Sequence, residues 1–224
     1  MSAPTRTTLP PEALPPVVTP EEWAVAAAEL RAAEKEHMRA GDALAARRRR
    51  MPMVEFGGYT FEGTDGPASL IDLFEGRRQL VVYQFMRGPA WCEGCCMFTD
   101  QISELAHLHA RDTTMAIVSL SDYRDLAALR DRMGWQVPFY SSAGNDFAAD
   151  CGTAHGFGLS VFLRDDSDRV FRTYFTNNRG VEAIGTVWSI LDRTPLGRQE
   201  TWEDTPAGRP QTAPYQWWRL HDEY

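Results

Sequence analysis

The strongest constraint on how this 224-residue chain folds is a change of pattern that begins at residue 80. A largely apolar run at 80–86 is followed by the letters WCEGCC at 91–96, and then by a helical pattern that extends to about Ala110. A short apolar run of this kind predicts a central strand that is buried on both faces of a sheet. The order of strand, cysteine pair and helix is the layout that thiol–disulfide chemistry requires.

The two cysteines at C-x-x-C spacing, Cys92 and Cys95, are the candidate catalytic residues. Across the first turn of a helix, this spacing brings both sulfur atoms to one side, close enough to bond. Free N–H groups at a helix N-terminus favour a thiolate, so we expect Cys92 to be the exposed nucleophile and Cys95 the buried resolving thiol. Glu93 would raise the pKa of the Cys92 thiol, and Arg87 would offset this if the loop folds back. We expect the helix terminus to dominate.

Two further residues flank the pair as supporting residues. Trp91 comes directly before the first cysteine. Cys96 lies about a third of a helical turn beyond Cys95, so its side chain points elsewhere, and we expect it to face the core. Because residues four apart also share one face of a helix, Cys96 remains an alternative partner for Cys92.

Two other classes of function remain open. Cys92, Cys95, Cys151 and His155 would form a Cys₃His metal site, of the kind that zinc occupies, if the loop of residues 151–155 folds over the motif. The second C-x-x-C pair of the usual zinc signature is missing. The third class is a redox-inactive interaction protein, in which an N-terminal helix and a C-terminal aromatic run mediate dimerisation.

Charge and composition argue against several classes of protein. The net charge of −8 argues against a general nucleic-acid or membrane-surface binder. The longest apolar runs are far too short to span a bilayer, and the first 19 residues lack the hydrophobic region of a signal peptide. Three of the four cysteines lie within five residues, which is not the framework of a secreted, disulfide-stabilised fold. We therefore expect a cytoplasmic protein.

The chain divides into four predicted segments. Residues 1–19 are rich in proline and are predicted to be disordered. Residues 20–52 are predicted to form a helical extension that begins with a capping box and ends before Pro52. Residues 53–196 form the main domain. Residues 197–224 form an aromatic tail that packs on this domain or on a partner.

Within the main domain, the order of the predicted elements indicates the fold class. Strands are predicted at 54–56, 59–61, 80–86, 114–120, 137–141, 159–164 and 170–176, with helices at 69–74, from the motif to about 110, at 123–133 and at 183–192. Gly57-Gly58 predicts a hairpin between the first two strands. The succession βαβ, then β–β, then α implies a mixed sheet with helices on both faces. In such sheets the reactive site lies beyond the carboxyl ends of the strands, where the motif falls.

Several long stretches also carry a resemblance to a known family. They are Glu22-Trp23, DGPASLIDLFEGRRQLVVYQFM at 65–86, CEGCCMFTDQI at 92–102, MGWQVPFYSS at 133–142, GLSVFLRD at 158–165, LDRTPLGRQE at 191–200 and WWRLHDEY at 217–224. With its cysteine motif, the chain resembles the thioredoxin superfamily and, more specifically, the thioredoxin-like family called "domain of unknown function 899". The resemblance implies a thioredoxin-like three-layer α/β/α sandwich with a mixed central sheet, to which the long N-terminal helix is added. It also implies a redox role.

Together these observations predict a thiol–disulfide oxidoreductase or a thiol-dependent peroxide reductase that uses Cys92 and Cys95. Its substrate would be a protein or small-molecule disulfide, or a peroxide. The prediction includes no cofactor, no nucleic acid and no membrane partner. A homodimer through the N-terminal helix or the C-terminal tail is a further expectation.

Overall fold

The structure is a computed structural model that describes residues 8–102 and 104–224. Residues 1–7, the first part of the segment predicted to be disordered, lie outside the described residues. The strands are β1 Val54–Glu55, β2 Thr60–Gly63, β3 Gly66–Ser69, β4 Gln79–Phe85, β5 Thr113–Ser119, β6 Phe139–Ser141, β7 Gly158–Arg164 and β8 Val170–Thr176. The helices are α1 Pro20–Arg48, α2 Glu93–Asp100, α3 Ala106–His109, α4 Tyr123–Met133, α5 Phe147–Asp150 and α6 Thr186–Leu191. Short 3₁₀ helices lie at Pro11–Ala13, Asp72–Phe74, Asn178–Ile184 and His221–Glu223.

One mixed sheet of the described residues has the strand order β1-β8-β7-β4-β5-β6-β2-β3. At its centre, β4 pairs in parallel with β5 and antiparallel with β7. Because side chains alternate along a strand, β4 contributes to two cores, one on each face of the sheet. The motif-side core contains Tyr83, Phe85, Cys95 and Phe98, and the opposite core contains Leu80, Val82, Phe147 and Phe162. This arrangement is the predicted thioredoxin-like α/β/α fold with a mixed sheet and an N-terminal helix.

The predicted hairpin at Gly57-Gly58 is wrong. β1 pairs with β8 at one edge of the sheet, whereas β2 pairs with β3 and β6 at the other end. Gly58 does adopt a positive φ of 86°, as a turn residue would. Between these strands the chain crosses the opposite core, where Phe56 and Phe61 both pack against Phe147, with ring centroids 5.9 and 5.0 Å from it. Burial of these rings, rather than the local turn, decides which strands pair.

The other predicted elements differ mainly in their ends. The strands predicted at 114–120, 159–164 and 170–176 and the helix at 123–133 match β5, β7, β8 and α4 to within one residue. The helix predicted from the motif to about residue 110 is instead two helices, α2 and α3. The helix predicted at 69–74 is reduced to a 3₁₀ turn because Glu75 and Gly76 both adopt positive φ values, which end it. α6 is shorter than predicted and follows a 3₁₀ segment.

Helix α1 begins with the predicted capping box. The Thr19 side chain accepts a hydrogen bond from the Glu22 backbone N–H, and the Glu22 carboxylate accepts one from the Thr19 N–H. None of the helix's 29 residues is buried. Its contact with the sheet includes Arg48, whose guanidinium lies 5.3 Å from the centre of the Tyr174 ring. No described helix has both the length and the apolar character needed to cross a membrane.

The C-terminal segment 197–224 packs in a different way, through buried charged groups. The fully buried Glu200 carboxylate accepts hydrogen bonds from the indoles of Trp202 (2.6 Å) and Trp217 (3.0 Å) and from the Tyr215 backbone N–H (2.8 Å). This segment also holds part of the region that was predicted to be disordered. Arg209 donates a hydrogen bond to the carbonyl of Ala13, and the Ala13 side chain is buried.

Candidate active site

The cysteine motif lies at the carboxyl end of β4, where the sheet topology was expected to place it. After a loop at 86–91, Cys92 occupies the N-cap position of α2, with an extended backbone (φ −70°, ψ 108°). Its sulfur accepts a hydrogen bond from the backbone N–H of Cys95 at 3.2 Å. The Cys95 sulfur lies deeper and accepts a hydrogen bond from the Met86 N–H at 3.5 Å. A cysteine therefore takes the capping role that serine or aspartate usually performs.

The surroundings give the thiols of Cys92 and Cys95 different pKa values. The pKa of the Cys92 thiol is lowered to about 7, chiefly because the Cys95 thiol donates a hydrogen bond to its sulfur. Partial burial opposes this effect, the backbone N–H groups of Cys95 and Gly94 support it, and the Glu93 carboxylate opposes it weakly. Burial first, and then the hydrogen bond to Cys92, raise the pKa of Cys95 well above its usual value. At neutral pH the arrangement favours one thiolate, at Cys92, beside one protonated thiol, at Cys95.

The supporting residues take up different positions. Trp91 packs edge-on against Phe85, with ring centroids 6.3 Å apart. Arg87 is exposed and, among the described residues, forms no ion pair with Glu93. The cation nearest to Glu93 in an ion pair is instead Arg219 of the C-terminal segment, at 3.7 Å. The structure therefore assigns to Arg219 the charge compensation that the sequence suggested for Arg87.

Cys96 is fully buried in the motif-side core. Burial, and then the nearby Cys92 charge, raise the pKa of its thiol to about 12. A thiol with so high a pKa stays protonated at neutral pH and is a poor nucleophile. The geometry therefore favours Cys95 over Cys96 as the partner of Cys92.

The four residues of the alternative metal site are not brought together. Cys92 and Cys95 contact the motif-side core, whereas Cys151 is buried in the opposite core, so the sheet lies between them. His155 is exposed on the loop beyond Cys151. Nowhere in the described ranges do three or more histidine, cysteine or acidic side chains converge in a way that could hold a metal ion. Burial of Cys151 and Phe147 in the opposite core keeps the Cys151 thiol away from the motif, so the condition for the metal site is not met.

Residues that the sequence did not assign to the site come from the C-terminal segment. Trp218 covers the first turn of α2 so closely that a Cβ atom added at Gly94 would lie 2.4 Å from the indole ring. His221 contacts Asp100 of the same helix at 2.6 Å, and Leu220 is buried in the motif-side core. The aromatic letters of the tail were visible in the sequence, but no spacing rule connects them with a motif more than 120 residues earlier.

One open cavity of about 780 Å³ lies beside the motif. Its lining includes Arg87, Pro89 and Trp91 of the loop before the motif, together with Asp122 and Arg132. Arg132 is paired with the carboxylates of the C-terminal 3₁₀ turn, Asp222 at 2.8 Å and Glu223 at 3.2 Å. The cavity offers an approach to the Cys92 loop, while Trp218 covers the helix turn next to it.

The fold and the site define a thioredoxin-like α/β protein with a cysteine pair at the end of a central strand. The chain belongs to the family described as "Bacterial protein of unknown function (DUF899)", whose model matches residues 12–224. The family resemblance in the sequence is thereby confirmed. No curated protein matches the chain.

Similar solved structures match a little over half of the chain. A putative thiol:disulfide interchange protein DsbE from Chlorobium tepidum is 14% identical over 61% of this chain and 94% of that one, with a TM-score of 0.41. A thioredoxin-like protein from Porphyromonas gingivalis is 14% identical over 61% and 92%, with a TM-score of 0.41. The Bacterioferritin Comigratory Protein of Xanthomonas campestris, described with alkyl peroxide reduction activity, is 13% identical over 61% and 96%, with a TM-score of 0.43.

Proposed function

We propose that this protein is a thiol–disulfide oxidoreductase or a thiol-dependent peroxide reductase. The observation that carries the proposal is the pairing of a half-buried Cys92 thiol, with a pKa lowered to about 7, and a buried, protonated Cys95 one turn away. One group is prepared to attack and the other to resolve. We place the protein in the cytoplasm, because three of its four cysteines lie within five residues, which is not the framework of a secreted, disulfide-stabilised fold.

The reaction follows from the two protonation states. The Cys92 thiolate attacks one sulfur of a substrate disulfide, and the other substrate sulfur leaves as a thiolate. Cys95 then loses its proton and attacks the Cys92 sulfur, which forms the Cys92–Cys95 bond and releases the second substrate sulfur as a thiolate. With a peroxide, Cys92 becomes a sulfenic acid as an alcohol or water leaves. Cys95 then displaces water from the sulfenic acid.

The surroundings of the motif support a small or loosely held substrate. The approach from the cavity is open, but the helix turn at Gly94 lies under Trp218. An extended polypeptide laid across both cysteines would meet this indole. We therefore propose a small disulfide, a peroxide or an exposed protein loop as the substrate.

The proposal is tested by mapping disulfides with mass spectrometry across a series of glutathione potentials. We expect a reversible Cys92–Cys95 bond in the wild-type protein and its loss in Cys92→Ser. The matched control is Cys151→Ser, which removes a buried thiol from the opposite core and leaves the motif intact. The absence of a Cys92–Cys95 bond at every potential, with unchanged alkylation in Cys92→Ser, would refute the proposal.

A further inference from the structure

Tyr83 is a buried tyrosine whose hydroxyl group has no neighbour in full hydrogen-bond geometry, although the Cys95 sulfur lies near it. Its side chain is fully buried at the carboxyl half of β4. Among the described residues, the Tyr83 Oη atom has no hydrogen-bond partner. A buried hydroxyl without a partner is a net cost to folding, because it loses its bonds to water and gains none in exchange. Such a group is therefore uncommon in a core and calls for an explanation.

The surroundings of Tyr83 point to the cysteine pair. Tyr83 lies on the motif-side face of β4, where it packs against Phe98 of α2 with ring centroids 6.0 Å apart. The Cys95 sulfur also lies over this strand, because it accepts a hydrogen bond from the N–H of Met86, three residues beyond Tyr83. The titratable groups that face the hydroxyl are Cys95 first, and then Cys92 and Cys96.

Tyr83 and Cys95 affect one another through this proximity. Burial, and then the Cys95 sulfur, raise the pKa of the Tyr83 hydroxyl, so it remains a protonated donor. In return, a hydrogen bond from the Tyr83 hydroxyl to the charged Cys95 sulfur lowers the pKa of Cys95, against the larger effects of burial and of Cys92. A neutral thiol is a weak acceptor, whereas a thiolate is a strong one. The hydroxyl can therefore lack a partner in the dithiol state and gain one when Cys95 becomes charged.

We propose that Tyr83 is a positioning residue for the redox step, which donates a hydrogen bond to Cys95 only while that sulfur is a thiolate. This role rests on the proposed thiol–disulfide function and adds to it the group that stabilises the buried sulfur.

The step in which the hydrogen bond acts is thiol–disulfide exchange at the oxidised motif. An external thiolate attacks the Cys92 sulfur and forms a mixed disulfide, while the Cys92–Cys95 bond breaks and Cys95 leaves with the electron pair. The Tyr83 hydroxyl keeps its proton and donates a hydrogen bond to the departing sulfur. In the reverse direction the same hydrogen bond from Tyr83 increases the fraction of Cys95 that is ionised, and the ionised Cys95 then attacks Cys92.

The test replaces Tyr83 by phenylalanine, which keeps the ring and removes only the hydroxyl. In a Cys92→Ala background, we follow the ¹³Cβ resonance of Cys95 as pH rises. A lost hydrogen bond to a charged group raises the pKa of Cys95 by roughly one unit or more. In the full-length protein with both cysteines, we expect dithiothreitol to reduce the Cys92–Cys95 bond about three- to tenfold more slowly in Tyr83→Phe.

The melting temperature of Tyr83→Phe distinguishes this positioning role from a purely structural one. Because the hydroxyl has no partner in the dithiol state, Tyr83→Phe should melt at the same temperature as the wild type or higher. If the hydroxyl had a structural role, its loss would lower the melting temperature. The matched control is Tyr140→Phe, in which the half-buried ring contacts the opposite core, and it should leave Cys95 unchanged. Uniform incorporation of fluorotyrosine, a stronger donor, should shift the Cys95 midpoint in the opposite direction to Tyr83→Phe.

An unchanged Cys95 midpoint in both Tyr83→Phe and the fluorotyrosine protein would overturn the proposal. The titration does not depend on redox activity. If the wild-type protein never forms a Cys92–Cys95 bond, the proposed function fails, while the titration still decides whether the hydrogen bond exists.

Discussion

The two extensions of this protein, helix α1 and the C-terminal segment 197–224, are of similar length and pack in opposite ways. In α1 no residue is buried, and Trp23, Leu30 and Leu44 are exposed. The C-terminal segment buries Arg198 and Glu200. A helix satisfies its own backbone hydrogen bonds, so it needs few contacts with the rest of the protein to form. An irregular segment has no such internal partners, and its course is fixed only by side chains that reach the core.

The difference decides which extension affects the active site. The C-terminal segment contacts the motif helix through Trp218 on Gly94, Arg219 on Glu93 and His221. Helix α1 contributes no residue to the cavity beside the motif. Changes in the tail should therefore alter both stability and thiol chemistry, whereas changes in α1 should leave the thiol chemistry unchanged and have only small effects on stability.

The largest expected effect is on stability, at Glu200. Glu200→Leu leaves two indole N–H groups and one backbone N–H without their buried acceptor, and should lower the free energy of unfolding by about 3–5 kcal/mol. Urea denaturation measures this change. The matched control in the other extension is Glu29→Leu, on the exposed surface of α1, with an effect of about 0.5 kcal/mol or less. Equal effects of the two substitutions would contradict the comparison.

Gly94, which contacts the C-terminal segment, and Gly41, in helix α1, give a second test. Alanine substitutions at these two positions should change stability in opposite directions. At Gly94 a new methyl group would meet the Trp218 ring, so Gly94→Ala should destabilise the protein by about 1–3 kcal/mol. It should also speed alkylation of Cys92, because the indole is displaced. In α1, nothing lies within 4 Å of a Cβ added at Gly41, and Gly41→Ala should stabilise the helix by about 0.5–1 kcal/mol. Circular dichroism melts and iodoacetamide kinetics separate these outcomes.

The exposed apolar residues of α1 lead to a prediction about association. Trp23, Leu30 and Leu44 fall on one face of the helix, and we propose that this face pairs with a second copy of the chain. Leu30→Asp should weaken the dimer by about tenfold or more in light scattering, without changing the melting temperature of the monomer. Val25→Asp, on the other side of the helix, is the matched control. A wild-type protein that is monomeric at all concentrations would rule out this pairing.

The smallest expected effect is a shift in the pH dependence of Cys92. Because only the thiolate reacts, the alkylation rate should rise with pH through a midpoint of about 7. The Glu93 carboxylate raises the pKa of Cys92, so Glu93→Gln should move the midpoint to lower pH. Arg219→Ala removes the cation that partly neutralises Glu93 and should move the midpoint to higher pH. Salt should reduce both shifts, since these two side chains are about half exposed. Shifts in the same direction would mean that the Arg219–Glu93 pair does not act on the thiol.

Local patterns predicted most of the regular elements because the information for them is local. The capping box of Thr19 and Glu22 started α1 where expected, and Gly134, at φ 68°, ended α4. The failure at Gly57-Gly58 has a different cause, since strand pairing depends on where Phe56 and Phe61 are buried. Burial also separates Cys151 from the motif. Cys151 is buried in the opposite core, so the sheet lies between it and the motif cysteines, although their spacing in the sequence allowed them to meet.

The sequence by itself determined the class of fold, the family and the position of the cysteine pair at the start of a helix that follows a central strand. It also placed the opposing charge of Glu93 beside Cys92. The tertiary structure decided which groups surround that pair. The C-terminal segment brings Trp218 and Arg219 to the motif by long-range packing. Tyr83 lies beside the motif in the buried core under it. No periodicity or spacing along the chain records such contacts, because they depend on which surfaces are buried together.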